Sequence, residues 1–592
     1  MITIVAVSFT YTDFLIDEAL IGRFVVFTFG LILCVVFWTT SETNELKIKV
    51  PVIFYILYFL ISLISAMWSI SVSESLFESS RLFLGLTVLV FTLTLYGEYF
   101  LKRLAYIFLF ITVGYLFILF NEISNAGIDT FSKANMYAIT GINGHKNELS
   151  GFLFLLLPFL ITSYSEFKSR VLKMAVVVGV VALLILIALL QARAVWAGIG
   201  VTSGSAILLL LLKNRSKFLV NFNLPRVLFT LGVIILVLFA LITKSSFFSE
   251  DSELTSSATF KVRKLLWGKS FEMIKDNPVV GVGSGNWRIN FSDYTLEGFS
   301  NSNSDGDAIQ KGLMIPDRPH NDFLWILTET GLIGFILYLA FILTVILYSI
   351  KTFLKNDLSF RASAFLVFLL GYLAISFFSF PRERMEEVLL INLLTGCLMG
   401  SLHLATKSIS LPIPSLYVKW ISIVLLSCSL IVGIFRIKGE YYVRKVIEAR
   451  QINDIERVIS YSQKAKSFLY QVDNFGMPVS WYEGAALVMK GDYPQALNSF
   501  TKAFEICPYN VQVLNNLASS YEVLSNHEMA KRLYLEAIRI SPGFEDPKLN
   551  LAAIFYNEGK FKEALESVNS VFGSSERKSE YIKLITQKLT DK

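Results

Sequence analysis

Charge is scarce in this chain. Only 17% of its 592 residues are Asp, Glu, Lys or Arg, against about 25% in an ordinary soluble domain. The net charge of +6 is small for the length, so no broad basic surface is on offer and no nucleic-acid partner is expected. Cysteine is scarcer still, at four residues. Cys34, Cys397 and Cys428 lie in apolar runs and Cys507 stands alone in a polar tail. None is spaced like a disulfide framework or a metal site, so neither a metal nor another cofactor is expected. The start, MITIVAVSFT, is not followed by a small-residue cleavage site, which predicts no removable signal peptide. What fills the chain instead is apolar: 54% hydrophobic and 14% aromatic residues, with a mean hydropathy of +0.57. That is the composition of an integral membrane protein.

Twelve runs approach the roughly 20 mostly apolar residues of a spanning helix. They lie near 23–39, 51–69, 82–96, 104–120, 149–163, 174–190, 195–212, 227–243, 323–348, 362–380, 388–404 and 413–435. Residues 1–16 are apolar too but are interrupted by Asp13, and read as a half-helix or a thirteenth span. Basic residues concentrate in alternate short loops, among them Lys47, Lys49, Lys102, Arg103, Lys168, Arg170, Lys351, Arg361 and Lys407. The opposite loops hold Glu74, Glu78, Glu122, Asp129, Glu383, Glu386 and Glu387. The positive-inside rule makes the first set cytoplasmic. Residues 244–322 then form a large outer loop, and everything after Phe435 is also outside.

The tail repeats. Ala496, Ala530 and Ala564 recur at the 34-residue tetratricopeptide period, as do Gly484, Ala518 and Ala552, and Phe500, Tyr534 and Val568. Small residues let paired helices approach, aromatics fill the gap to the next pair, and Pro508 and Pro542 close each unit. The expected architecture is therefore all-α: a polytopic membrane bundle over 1–435, a linker with a degenerate hairpin over 436–476, and an α-solenoid of tetratricopeptide repeats over 477–592. The solenoid either caps the membrane body or offers a concave surface to a protein partner.

On the outer side, Arg193 sits at the junction of two spans, where position alone would equally suit an arginine snorkelling to lipid headgroups. Arg263 lies on an amphipathic helix that ends at Asn277-Pro278, a pattern that also suits a helix lying on the membrane surface. Val279–Asn286 (VVGVGSGN) has the glycines of a phosphate loop without the preceding strand, and reads as a turn-rich re-entry. His320 stands at a span mouth, with Glu329 in its first turns. A lone histidine there is usually structural, yet its ordinary pKa near 6.5 suits proton transfer. Asp305 and Asp307 look like a paired-carboxylate metal motif in form but sit in a Ser/Asn-rich solvated stretch. Gly144–Asn147 is a further outward polar cluster. His403 and His527 receive no role.

In order, Trp68-Ser69, Gly144-His-Lys-Asn147, Arg193-Ala-Val-Trp, Arg263 with Trp267, Gly281-Val-Gly283, His320-Asn321-Asp322 and Glu329-Thr-Gly331-Leu-Ile-Gly334 make a pattern. It resembles the O-antigen ligase and polymerase superfamily across roughly 51–404, departing at Ala192-Arg193-Ala194, where many members have Ser-Arg-Gly. The resemblance implies a metal-independent glycosyltransferase of the bacterial inner membrane. Such an enzyme moves a glycan from undecaprenyl diphosphate to lipid A–core on the periplasmic face, or acts as a repeat-unit polymerase or protein O-oligosaccharyltransferase. It implies Arg193 and Arg263 on the diphosphate and His320 as the acceptor-activating group. Glu329 would orient His320 or serve packing, and His145, Lys146, Asn147 and Asn321 are candidate substrate contacts. The repeat tail, also periplasmic on this reading, offers a site for a protein partner. A transporter or a non-catalytic envelope scaffold is the alternative from another class.

Overall fold

The computed structural model describes residues 1–38, 46–125, 139–212, 250–296, 304–355, 358–402 and 407–590. The chain is a multi-pass membrane helical body followed by a soluble helical domain. Eight helices are long and apolar enough to cross a bilayer among the described residues, rather than about twelve. They begin at Val50, Val72, Glu98, Arg170, Arg193, Asp322, Phe360 and Ser415. The difference has identifiable sources. Leu20–Val36 and Met385–Ser401 have 17 residues each, and Lys146–Ser163 opens with charged residues and contains Pro158. The run at 227–243 lies outside the described residues. Ile2–Phe9 is a half-helix of eight residues, about 12 Å long and too short to span.

Large side chains such as Phe117 and Leu347 remain exposed on these helices, as they must where the solvent is lipid. Polar contacts sit at the two ends. At one end Leu46–Lys49 pairs antiparallel with Ser408–Leu411, and Arg361 pairs with Glu166, so the basic loops share a face. At the other end Arg384 donates to Asp17 at 2.9 Å and to Glu148 at 2.8 Å. Arg23 and Glu386, both fully buried, form an ion pair, with Arg23 also donating to the Ile142 carbonyl at 2.6 Å.

The VVGVGSGN segment does re-enter the body. The Asp322–Leu354 helix breaks at Gly331, whose φ is 62° and ψ −167°. The glycine segment plugs that break: Val282 N–H donates to Thr328 O at 3.0 Å, Gly283 N–H to Glu329 O at 2.9 Å, and Leu332 N–H to Pro278 O at 2.9 Å. A Cβ on Gly281 would collide with the Glu329 carbonyl, and one on Gly331 with the Val279 carbonyl. Both glycines have positive φ, so closeness and conformation require glycine together. Serines finish the knot: Ser284 N–H donates to Ser65 Oγ, and Asn286 Oδ1 accepts from Ser71 N–H.

One helix, Ser415–Gln451, carries the chain from the membrane into the repeat domain. At 37 residues it is about 55 Å long, and the boundary drawn at 435 falls inside it. Its last turns pair with Ile455–Ala465 as the degenerate hairpin. Three helix pairs follow, beginning at Val479, Val511 and Asp546. Ala496, Ala530 and Ala564 are fully buried between them, as are Tyr534 and Val568. Asp492 and Asn526, also 34 apart, cap the second helices. The repeats dock on the segment that links the Glu250–Asp276 helix to the Asp322–Leu354 helix. Leu296 N–H donates to Ile540 O at 2.6 Å, Gln512 donates to Gly312 O at 3.1 Å, and Trp287, Phe291 and Ile309 share a core with Val511, Leu514 and Ile540.

Candidate functional site

The loop helix Glu250–Asp276 carries Arg263 and Trp267. Its stripe of Leu266 and Met273 packs into the core shared with the repeats. That burial fixes its rotation and leaves Arg263 half-buried, donating to the Phe378 carbonyl at 3.2 Å. Trp267 Nε1–H donates to Pro319 O at 2.8 Å. The helix thus holds the turn that presents His320.

His320 itself adopts left-handed backbone geometry, φ 55°. For a residue with a Cβ this costs about 1–3 kcal/mol and persists only where the surroundings impose it. Its ring meets Phe380 edge-on at 5.0 Å. Surrounding protein pushes its pKa down to about 3, with the charges of Arg263 and Arg318 adding to the effect and Asp317 opposing it. The imidazole retains some solvent contact, yet it is neutral across the physiological range.

Arg193 is exposed at the first turn of Arg193–Leu212, following Gln191, which closes the preceding helix in left-handed geometry. An arginine at a helix N-terminus is opposed by the helix dipole, whereas an anion there is favoured by both. Burial lowers the Arg263 pKa, and the charge of Arg193 lowers it further. Arg263, separate in sequence from both, therefore lies within the field of Arg193 and acts in turn on His320. His145 also acts electrostatically on His320. A cleft of about 330 Å³, open solvent included, runs past Asn147, Ala192, Val195, Phe380 and Arg384.

The remaining candidates have other surroundings. His145 Nδ1 accepts from Asn147 N–H at 3.1 Å and so caps the Lys146–Ser163 helix, in which Lys146 is buried. Asn321 caps Asp322–Leu354 through Leu324 N–H. Glu329 is buried, accepting from Trp287 N–H at 3.2 Å and from Arg382 at 3.3 Å, and these partners rather than His320 hold it. Asp307 lies on the short helix Ser304–Gln310, and no group of three or more His, Cys, Asp or Glu suited to a metal occurs among the described residues.

Sequence reasoning missed a dense arginine–carboxylate network behind this site. Arg382 reaches Glu78 at 3.1 Å and Glu329 at 3.3 Å, and stacks on Trp325 at 4.3 Å. Arg318 lies over Phe380 at 4.3 Å and pairs with Glu383. The only available signal was the run of charges Arg382–Glu387 opening an apolar segment.

Comparison with known proteins gives partial matches. A curated relative, the exopolysaccharide production protein ExoQ of Rhizobium meliloti (strain 1021), is 32% identical over 110 residues. That stretch is 19% of this chain and 22% of the relative. Among solved structures, MamA is 15% identical, with 26% of this chain and 83% of that one covered at a TM-score of 0.23. Yeast Tom70 is 14% identical, with 74% and 92% covered at 0.23. The O-Antigen ligase family model matches residues 178–339. That segment contains Arg193, Arg263, His320 and Glu329, and leaves His145, Lys146, Asn147 and the repeats outside it.

Proposed function

We propose that this chain transfers a glycan from undecaprenyl diphosphate to an acceptor such as lipid A–core on the periplasmic face of the inner membrane. The reading is supported by Arg263 and His320 both meeting the Phe378–Phe380 turn, with Arg193 close enough to act electrostatically on Arg263. Breaking the bond between sugar and diphosphate leaves charge on the departing phosphate. Two guanidinium forks and a helix N-terminus neutralise it. His320, neutral when the site is empty, accepts a hydrogen bond from the acceptor hydroxyl. The bound diphosphate offsets the charge of Arg263, raises the affinity of His320 for a proton, and makes it a better base only when substrate is present. Glu329 acts at a distance, holding Arg382 and the loop at Trp287 in place.

Labelled lipid-linked glycan supplied to the purified protein in proteoliposomes tests this. Transfer to core lipid is expected, with losses of about 10²–10³-fold in Arg263→Ala and His320→Ala. Wild-type transfer by both variants would refute it. The likeness to an exopolysaccharide production protein favours a second reading, repeat-unit polymerisation, in which the label appears in longer lipid-linked chains. A cysteine placed at the exposed Phe475 tests sidedness, since a membrane-impermeant maleimide should label it from the periplasm.

A further inference from the structure

A second cavity lies at the meeting of membrane body, outer loop and repeat linker. Its interior leaves about 170 Å³ open to water-sized molecules. Its walls are charged almost throughout, yet every charge has a partner. Arg81 pairs with Glu78, Arg436 with Glu74 at 2.5 Å, Arg288 with Asp317 at 3.2 Å, and Arg318 with Glu383. Burying so many ion pairs costs several kcal/mol per ion before their attraction is counted, and does not by itself stabilise a fold. Hydrogen bonding within these pairs is incomplete. Arg81 Nε and Arg436 Nε are buried with no hydrogen-bond partner among the described residues, on side chains only 6% exposed. Phe77 and Trp325 add aromatic surface, and Asn474 of the repeat linker stands at the wall.

We propose that this cavity is a subsite for a neutral saccharide unit, an assignment that rests on the glycan-transfer reading above. Paired planar ions retain spare lone pairs and N–H groups for hydroxyls, and aromatic rings suit the apolar face of a sugar. A phosphate would bring new negative charge beside carboxylates whose arginines are already neutralised. The cavity adjoins the transfer site through one side chain: Arg318, in its wall, and His320 both pack on Phe380. The linker closes the cavity, because Arg288 donates to the carbonyls of Asp473 at 3.1 Å and Asn474 at 3.2 Å. The linker to the repeats therefore takes part in sugar binding.

Detergent-purified full-length protein, screened against an array of neutral oligosaccharides and their phosphorylated and uronic-acid counterparts, tests the assignment. Neutral glycans should be retained. Asn474→Trp, which fills the cavity, should weaken retention by about tenfold or more, and Arg81→Lys, which keeps the charge but removes the fork, by a smaller factor. Arg263→Ala should leave retention within about twofold. Thermal unfolding checks the fold of each variant, and if Asn474→Trp does not fold, Arg81→Lys decides. In the transfer assay, a raised KM for the lipid-linked donor or for the acceptor in these variants identifies which substrate supplies the sugar. No glycan retained, preference for the anionic counterparts, retention unchanged in the cavity variants, or retention lost in Arg263→Ala would each overturn the subsite. Glycan retention without transfer from any lipid-linked donor would instead overturn the transfer reading and leave the subsite standing.

Discussion

The indole N–H of Trp267 donates to the carbonyl of Pro319 at 2.8 Å. This bond ties the helix that carries Arg263 to the turn that presents His320. Trp267→Phe keeps the ring and removes the donor. The expected result is a loss of transfer of about 10²-fold through misplacement of His320, with stability lowered by only about 1 kcal/mol. Kinetics in proteoliposomes and thermal unfolding separate the two effects, and a loss of activity matched by loss of fold would discount the tie.

His320 gives the molecule a pH signature. Its folded pKa of about 3 lies below the ordinary value of 6.5, so the unfolded chain binds the proton more readily. Stability should therefore fall as pH drops from about 6.5 towards 3 and change little from this group below that. His320→Gln removes the effect, so the unfolding-temperature gap between variant and wild type should shift in the variant's favour on acidification. Diphosphate binding acts in the other direction on the same group. The acid limb of kcat, which reports the substrate complex, should lie at higher pH than that of kcat/KM, which reports the free enzyme.

Gly331→Ala places a Cβ against the Val279 carbonyl at a φ of 62°. Neither backbone segment can yield without breaking the plug. The expected cost exceeds about 2 kcal/mol, seen as a lower unfolding temperature or loss of monodisperse protein. An alanine variant with wild-type stability would mean that the plug is looser than its hydrogen bonds imply.

Arg23 and Glu386 are both fully buried and paired. Arg23→Leu strands the carboxylate and should cost about 3–5 kcal/mol. Adding Glu386→Leu removes the stranded charge and should recover most of that loss. Equal instability of the single and double variants would show that the pair matters for its hydrogen bonds to Ile142 and Asn143 rather than for its charge balance.

The sequence by itself determined the membrane class and the repeat tail, and it singled out Arg193, Arg263 and His320 as candidates. Apolar run length reports on bilayer thickness, and the small residues at 496, 530 and 564 report on helix approach; both are local properties that survive without a partner. The motif blocks at Trp68, Gly281 and Gly331 were legible as a resemblance, but their purpose was not. Only the folded chain shows Trp68 donating to the Gly281 carbonyl and the glycine segment filling the helix break. Among the described residues the span count falls to eight because Leu20–Val36 and Met385–Ser401 stop at 17 residues and Lys146–Ser163 opens with charged residues, limits that an apolar count along the chain passes over. Tertiary structure alone decided the charge network, since a pair such as Arg436 and Glu74 joins residues 362 positions apart. Ion pairs of that kind depend on geometry and exclusion of water, and no spacing along the chain encodes either.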